Sequence, residues 1–293
     1  MTLVRNLPGP LLIFLGALSL SFGGLIVKSF EGSTLWQILF WRSVFFSLTV
    51  LIFLIISYKK KIFSAFYNSG LPGFFGGIIL SLGFCGYVFA MYNTTVANTN
   101  FIISLQILFL AIFGYFFLKE KISAITLTSI ILAMTGVFLM VGNSLSPGEL
   151  SGNLAAFSMP ITFAILIIIV RKHPSVDMVP AQFVAGICCC LIGFFLSNKI
   201  MISYHDIFLG FLAGFFQVGF GFIFITIGAR TTPSALVGII MLSESVLGPI
   251  WAFLFADERA SIFTLVGGGI ILFAVLIQFY TLLKKSKKNV SLS

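Results

Sequence analysis

Two ionisable side chains lie inside long apolar runs of this sequence. Arg42 lies in the second such run, and Glu244 lies near the centre of the ninth. Ionisable groups are costly in a membrane interior and commonly serve a substrate, an ion or a proton. Glu244 could bind a substrate cation or a coupling proton, or it could be a structural carboxylate paired with Arg42 or with hydroxyl groups. Arg42 could orient a substrate carboxylate through its planar guanidinium, or form an ion pair with Glu31 or Glu244.

Two glutamines share this setting. Gln106 and Gln217 lie at the centres of apolar runs, and an amide without a hydrogen-bonding partner is costly in lipid. We therefore expect both to face a shared polar cavity that binds a small-molecule substrate. Aromatic side chains could line that cavity or contact lipid, and the candidates are Phe22, Trp41, Phe84, Tyr87 and Trp251.

The composition indicates which elements carry these residues. Of 293 residues, 59% are hydrophobic and 9% are charged, with a mean hydropathy of +1.15. Soluble domains carry about 25% charged residues, so a soluble class is excluded and membrane lipid is an expected partner. The net charge of +9 does not indicate nucleic acid, because the basic residues lie between apolar runs instead of forming a cluster on a polar face.

Runs of about 20 apolar residues predict helices that cross a bilayer. Ten such runs predict an all-α integral membrane protein with ten transmembrane helices. They cover residues 11–27, 36–57, 71–92, 98–118, 122–141, 154–170, 179–197, 207–229, 234–256 and 261–283. The linkers are too short for a soluble domain, so we expect the function to lie inside the bundle.

The basic residues predict the topology, because Lys and Arg are enriched on the cytoplasmic side of membrane helices. Alternating assignment places thirteen on the side of both termini: Arg5, Lys59, Lys60, Lys61, Lys119, Lys121, Arg171, Lys172, Arg230, Lys284, Lys285, Lys287 and Lys288. The opposite side has three, Lys28, Lys199 and Arg259. We predict a multi-pass protein of a bacterial inner membrane with both termini in the cytoplasm.

The two halves of the chain are similar. The segment 83–123 parallels 219–261, and Glu120 and Glu258 are 138 positions apart. We therefore predict two five-helix repeats, residues 1–147 and 148–293, the second with a basic cytoplasmic tail. An odd number of helices in each repeat makes the second repeat enter the membrane in the opposite orientation.

Inverted repeats of this kind are a recurrent architecture of secondary transporters that work by alternating access, with the binding site near the midplane. The same 138-position spacing relates Gln106 to Glu244. The repeat therefore predicts that these two polar side chains are equivalent by symmetry in the middle of the membrane.

Three motifs follow one another along the chain. They are Phe40-Trp41-Arg42-Ser43, then Thr94 through Phe117 followed by Leu118-Lys119-Glu120-Lys121, then Leu242-Ser243-Glu244-Ser245 through Phe255-Ala256-Asp257-Glu258-Arg259. In these motifs the chain resembles the ten-helix branch of the drug/metabolite transporter superfamily, which is built from two EamA-type repeats. The resemblance implies transport of a small polar or amphipathic metabolite, with amino acids and related zwitterions or amines as the first expectation.

One feature departs from that family. Its members often have proline just after the position of Glu244 or of its repeat mate, whereas this chain has Ser245 and Ile107 there. We therefore expect straighter fourth and ninth helices. Pro160 predicts a kink in the sixth helix instead, because proline removes one backbone hydrogen bond.

Charged residues near helix ends predict ion pairs or a gate, and these are Lys28, Glu31, Glu120 and Glu258. Lys121 and Arg259 are the neighbouring cations of the last two. All four cysteines, Cys85 and Cys188–Cys190, lie within predicted helices. Consecutive helical residues point about 100° apart, so the three adjacent thiols cannot converge on one metal. We interpret the cysteines as apolar filler and expect no metal and no cofactor.

Other functional classes lack their signatures. An intramembrane enzyme would need paired Asp residues, a Ser with His, or His-Glu-x-x-His, and the sequence contains none of these in a predicted span, so we expect no catalytic residue. A facilitative channel-like pore and a non-transporting scaffold or receptor remain alternatives. Glycines at helical spacing in the eighth run, such as Gly210 and Gly214, predict close helix packing, either within one chain or between protomers of a homodimer.

Overall fold

The computed structural model describes residues 7–94, 96–141, 150–256 and 262–290. Every regular element in these ranges is helical. Six helical stretches are long and apolar enough to cross a membrane: Gly9–Val27, Leu35–Asn93, Thr99–Leu118, Leu150–Lys172, Val179–Leu196 and Tyr204–Ala229. Three shorter apolar helices are Ala124–Leu139, Ser234–Gly248 and Leu265–Thr281. The all-helical membrane class predicted from composition is therefore observed.

We number the helical segments in chain order and give the two halves of an interrupted helix the suffixes a and b. The first group is α1a Gly9–Leu20, α1b Gly23–Lys28, α2 Leu35–Tyr58, α3 Ile62–Asn93, α4a Val96–Ser104, α4b Gln106–Leu118 and α5 Ala124–Val141. The second group is α6a Leu150–Ala156, α6b Ser158–Lys172, α7 Val179–Leu196, α8a Tyr204–Phe211, α8b Gly221–Ala229, α9a Ser234–Met241, α9b Ser243–Ala256 and α10 Ile262–Val290. A π-helical segment, Leu212–Phe220, joins α8a to α8b.

The helices pack into one bundle around a central apolar core. α2 packs against α7 and against the π-helical segment, α7 also packs against α3, and α3 packs against both halves of α6. α8b lies on α1a, α4b contacts α6b and α9a, and α5 pairs with α10. The core between them is dominated by Leu, Ile, Val and Phe side chains such as Phe46, Phe163 and Phe222.

Four helices are interrupted near their middles. The interruptions lie at Ser21–Phe22 in α1, at Leu105 in α4, at Phe157 in α6 and at Leu242 in α9. Leu105 and Leu242 keep right-handed helical dihedrals, with φ −64° at both and ψ −9° and −13°, so the expectation of straighter α4 and α9 stays a prediction. At Leu105 the backbone N–H donates to the carbonyl of Ile102, three residues back, and at Leu242 the partner is Ile239. In α4 the hydroxyl of Ser104 also donates to the carbonyl of Asn100 at 2.8 Å, and such serine back-bonding commonly bends helices.

Proline and glycine mark two further irregularities. The interruption of α6 lies at Phe157, and Pro160 occupies the first turn of α6b. Backbone N–H groups in the first turn have no partner within the helix, so proline removes no helical hydrogen bond there. α3 begins at Ile62, earlier than the predicted start at residue 71. Gly70 within it has φ 53°, a conformation that favours glycine, so the helix changes direction just before the predicted span.

Glycines of α8 allow close contact with two other helices. A Cβ on Gly214 would overlap the backbone carbonyl oxygen of Arg42 in α2, and one on Gly228 would lie 2.6 Å from the carbonyl oxygen of Gly9 in α1a. The predicted role of these glycines in close packing is observed within one chain. Gly214 lies in the π-helical segment and Gly228 lies in α8b, and the two glycines face different neighbours.

Gly214→Ala is expected to lower the melting temperature of the purified protein by at least about 3 °C, because overpacking against a backbone atom costs about 1–3 kcal/mol. Thermal unfolding in detergent measures the effect. Gly24→Ala is the matched control, since a Cβ at Gly24 meets no atom within 4 Å. Equal melting temperatures for the two variants would contradict the proposed close contact between α8 and α2.

Candidate functional site

A cavity lies at the centre of the bundle, where the interrupted helices meet. Its lining comes from α1a, α2, α3, α4, α6b, α8 and α9: Leu20, Arg42, Phe84, Tyr87, Ile103, Gln106, Met159, Phe163, Gln217, Val218, Phe222, Met241 and Glu244. The space in which the centre of a water molecule fits is about 30 Å³. That is room for roughly two waters, so a metabolite would enter only if lining side chains moved.

The structure brings six residues that the sequence named as candidates to this cavity, namely Arg42, Phe84, Tyr87, Gln106, Gln217 and Glu244. They come from five different parts of the fold. Gln106 is the first residue of α4b and Glu244 is the second residue of α9b, so both follow directly after a helix interruption. The interruptions therefore place these two polar side chains at the N-terminal ends of half-helices, in the middle of the bundle.

Arg42 is buried against aromatic rings without a carboxylate partner. Only 4% of the residue is exposed, and its guanidinium carbon lies 5.6 Å from the ring centres of both Phe84 and Tyr87. Within the ranges that the structure describes, the guanidinium forms no hydrogen bond and no ion pair, so the pairs with Glu31 and Glu244 considered from the sequence are absent. Its donors are available to a ligand in the cavity.

Glu244 and the two glutamines are also free for a ligand. Among the described residues, neither the Glu244 carboxylate nor the Gln106 amide has a hydrogen-bonding partner, and Gln217 donates only a long bond of 3.5 Å to the carbonyl of Leu20. The Tyr87 ring lies beside the Arg42 guanidinium, and Tyr87 and Glu244 line the same cavity. The cavity therefore presents a cation and a carboxylate that are not paired with each other.

The other three aromatic candidates lie outside the cavity lining. The rings of Phe22 and Trp251 stack with centroids 4.6 Å apart, and the Trp251 indole donates to the Ser21 hydroxyl at 2.8 Å. This pair adjoins the interruption of α1, next to Gly23, whose backbone lies against Gln217 and Tyr87. Trp41 donates its indole N–H to the carbonyl of Ile200 at 2.8 Å and so anchors the α7–α8 loop.

Glu120 connects three helices at the end of the bundle that carries Arg171 and Arg230, which we call the basic end. Its Oε1 accepts hydrogen bonds from Nε and Nη2 of Arg171 at 2.9 and 2.6 Å. Its Oε2 accepts from the backbone N–H of Ser234, the first residue of α9a, at 2.8 Å. Arg171 also donates to the carbonyl of Arg230 at 3.3 Å. The partner of Glu120 is therefore Arg171 of α6b, which is 51 residues away, and the carboxylate also caps α9a.

At the opposite end, Asp206 ties the α1–α2 loop to the start of α8a. One carboxylate oxygen accepts the backbone N–H of Glu31 at 3.0 Å, and the other accepts the hydroxyl of Ser33. Only 1% of Asp206 is exposed. Sequence reasoning missed it because it lies at a predicted helix end and its partners are about 175 residues away. The Lys28 side chain and Glu258 lie outside the described part of the structure.

Most of the apolar wall of the cavity was also missed, with Phe84 as the exception, because single apolar residues do not stand out in a sequence with 36 Phe. The repeat spacing is the signal that could have found it. Phe84 and Phe222 lie 138 positions apart, as do Ile103 and Met241, and all four line the cavity. The Phe84 and Phe222 rings meet edge to face, with centroids 4.8 Å apart.

The fold and the site together define a multi-pass helical membrane protein with a polar cavity at its centre. A family model described as the EamA-like transporter family matches residues 7–142 and 146–280. This chain belongs to the EamA-like transporter family, and the match confirms the resemblance to the drug/metabolite transporter superfamily read from its motifs.

One relative agrees with this assignment, and one solved structure shares the fold. A protein of Methanothermobacter thermautotrophicus described as an uncharacterized transporter is 24% identical over 206 residues, which cover 64% of this chain. The match spans 58% of that relative's length. A crystal structure that is 15% identical in sequence superposes with a TM-score of 0.80 and covers 92% of this chain and 96% of the other chain. That similarity shows the fold.

Proposed function

We propose that this protein is a secondary transporter that moves a small polar or amphipathic metabolite through the central cavity by alternating access. One observation carries the proposal: Arg42 and Glu244 face the same buried cavity, and neither has a partner among the described residues. Unpaired charges are costly away from water. A polar ligand that neutralises both side chains would offset that cost. Ligand binding therefore accounts for two unpaired ionisable groups in the cavity.

Ten transmembrane helices in two inverted repeats, residues 1–147 and 148–293, are part of this proposal. The stretch Leu35–Asn93 contains 59 residues, which is enough for two spans. Five other long stretches and three shorter apolar helices would complete the ten. Arg171 and Arg230 lie together at the basic end, so we place that end and both termini in the cytoplasm, by the rule that basic residues face inward.

The packing supports a twofold relation between the repeats. Exchanging the two halves turns the α2–α8 contact into α7–α3, the α1–α8 contact into α6–α3, and the α1–α9 contact into α6–α4, and all six contacts are present. The interruptions also correspond, α1 with α6 and α4 with α9. Inverted repeats with broken helices around a midplane site are typical of alternating-access carriers.

The cavity chemistry favours a zwitterion. The Arg42 guanidinium suits a carboxylate, because its planar fork can donate two parallel hydrogen bonds. Glu244 suits an ammonium group or a coupling proton, Gln106 and Gln217 suit further polar atoms, and the remaining lining is apolar. An amino acid or a related zwitterion with an apolar side chain would satisfy all of these groups.

Two contacts, one on either side of the cavity, are suited to act as the gates of an alternating-access cycle. The Glu120 network joins α4b, α6b and α9a at the basic end. The Phe22–Trp251 stack joins α1 to α9b on the other side. Opening either connection would admit substrate from one side only.

We expect saturable uptake of at least one zwitterion into proteoliposomes containing the purified protein. The panel comprises labelled amino acids, amines and nucleosides, with and without an imposed pH gradient, and empty liposomes are the control. A zwitterion should be carried at least about ten-fold better than the same skeleton without its carboxylate or its amine, since each lost charged contact costs about 1.5–3 kcal/mol. Conductive flux that does not saturate would indicate a pore, and no flux of any solute would indicate a scaffold or receptor.

A further inference from the structure

Two of the four cysteines meet where α3 packs against α7. Cys85 belongs to α3, and Cys188, Cys189 and Cys190 belong to α7. The Sγ atoms of Cys85 and Cys189 are 4.0 Å apart, although the two residues are 104 positions apart in the sequence. Cys189 is fully buried, and Cys85 is partly buried. Two thiols from different halves of the chain therefore face each other inside the bundle.

The number of ligands limits which metal this pair could hold. No group of three or more His, Cys, Asp or Glu side chains converges anywhere in the described ranges. Zn²⁺ in proteins almost always takes four ligands, so a two-thiol pair is unsuited to it. Soft thiolate ligands favour Cu(I) and similar soft cations. Two metal–sulfur bonds of about 2.3 Å span at most about 4.6 Å, so the sulfur atoms would need to move apart by only a few tenths of an ångström.

The charge around the pair is also suitable. Two thiolates and one monovalent cation carry a net charge of −1, and a buried charge needs an opposite charge beside it. Arg42 is 4% exposed, has no carboxylate partner in the described part of the chain, and lies within electrostatic range of Cys85 and Cys189 once these are thiolates. It also stacks on Phe84, the residue before Cys85. The guanidinium is therefore placed to neutralise the bound complex.

We infer that Cys85 and Cys189 form a two-coordinate binding site for a soft monovalent cation such as Cu(I) or Ag(I), and that Arg42 neutralises the resulting complex. Binding is an exchange of protons for metal without oxidation or reduction. Each thiol loses its proton, two sulfur–metal bonds form, and two protons leave for each cation bound. The Sγ of Cys189, which now lies 3.6 Å from the carbonyl of Ser81, would turn toward the metal.

The experiment measures Ag(I) binding by the purified, reduced, full-length protein under inert gas. Bound silver is counted by elemental analysis, released protons are counted with a pH indicator, and sulfur neighbours are counted by X-ray absorption. A Cys188→Ser/Cys190→Ser double variant provides the background, because the proposed ligands are then the only cysteines in the chain. We expect one silver ion per chain in this background, with two sulfur neighbours and two protons released.

Removing either ligand from that background, with Cys85→Ser or Cys189→Ser, should weaken binding at least about 100-fold. Arg42→Gln should weaken it about 10–100-fold, which is typical when a group outside the ligand set is lost. Melting temperatures without silver verify that each variant is folded. The inference is overturned if the background variant binds no silver, if silver has one sulfur neighbour, or if folded Cys85→Ser binds it as tightly as the background does.

Discussion

Glu244→Gln is expected to reduce the initial rate of substrate uptake at least about 100-fold, or to leave an uptake that no longer responds to a pH gradient. Glu244 is the one carboxylate in the described lining of the cavity. In the proposed complex the Glu244 carboxylate pairs with a cationic group of the substrate. Removing one partner of such a buried charge pair costs about 2–5 kcal/mol, and each 1.4 kcal/mol is a factor of ten in affinity. Glutamine has nearly the same shape, so the fold should be retained. Uptake into proteoliposomes at matched protein content measures the effect.

Arg42 provides the complementary test at the other charge. Arg42→Gln should also abolish uptake, whereas Arg42→Lys should retain part of it, because lysine keeps the charge but loses the bidentate fork. Glu31→Gln is the matched control, since the Glu31 side chain is exposed and only its backbone is held, by Asp206. Wild-type uptake and pH response in folded Glu244→Gln would return that carboxylate to a structural role. Loss of uptake in Glu31→Gln would show that the assay reports general damage.

Glu120→Gln should open the basic end of the bundle. Glutamine can still accept the N–H of Ser234, but it leaves the partly buried Arg171 guanidinium without a counter-charge. Loss of this counter-charge destabilises the folded protein by about 1–3 kcal/mol. It weakens the connection that joins α4b, α6b and α9a. We expect a lower melting temperature and several-fold faster labelling of the cavity from the basic end.

A membrane-impermeant maleimide measures that labelling at Met241→Cys, in a chain without native cysteines. Lys172→Gln is the control, because Lys172 is the exposed cation next to Arg171. The exchange Glu120→Arg/Arg171→Glu should restore only part of the closure, since an arginine at position 120 cannot accept the N–H of Ser234. Unchanged labelling in Glu120→Gln would mean that the Glu120 network stabilises the fold without closing the cavity.

The sequence by itself determined that the chain lies in lipid and that it is a helical membrane protein. It also identified most of the polar side chains that line the cavity. A chain in which 9% of the residues are charged cannot cover the surface of a soluble domain. The cost of polar groups in lipid was enough to make Arg42, Gln106, Gln217 and Glu244 candidates for a polar cavity. The 138-position spacing of the repeats is also visible in the sequence. The motifs in the two repeats indicated the family that the comparison confirmed.

Only the tertiary structure decided which of these groups have partners. The sequence left Arg42 with two possible ion pairs, and the fold forms neither of them. Glu120 was expected beside Lys121, but it binds Arg171 of another helix.

The physical reason is that such contacts join residues 50 to 230 positions apart. Each depends on crossing angles and on where a helix is interrupted, and Leu105 and Leu242 interrupt their helices without proline. The meeting of Cys85 with Cys189 and the stack of Phe22 on Trp251 follow from the same geometry. A residue's cost in lipid is a local property that the sequence shows, whereas its partner is set by the packing of the whole bundle.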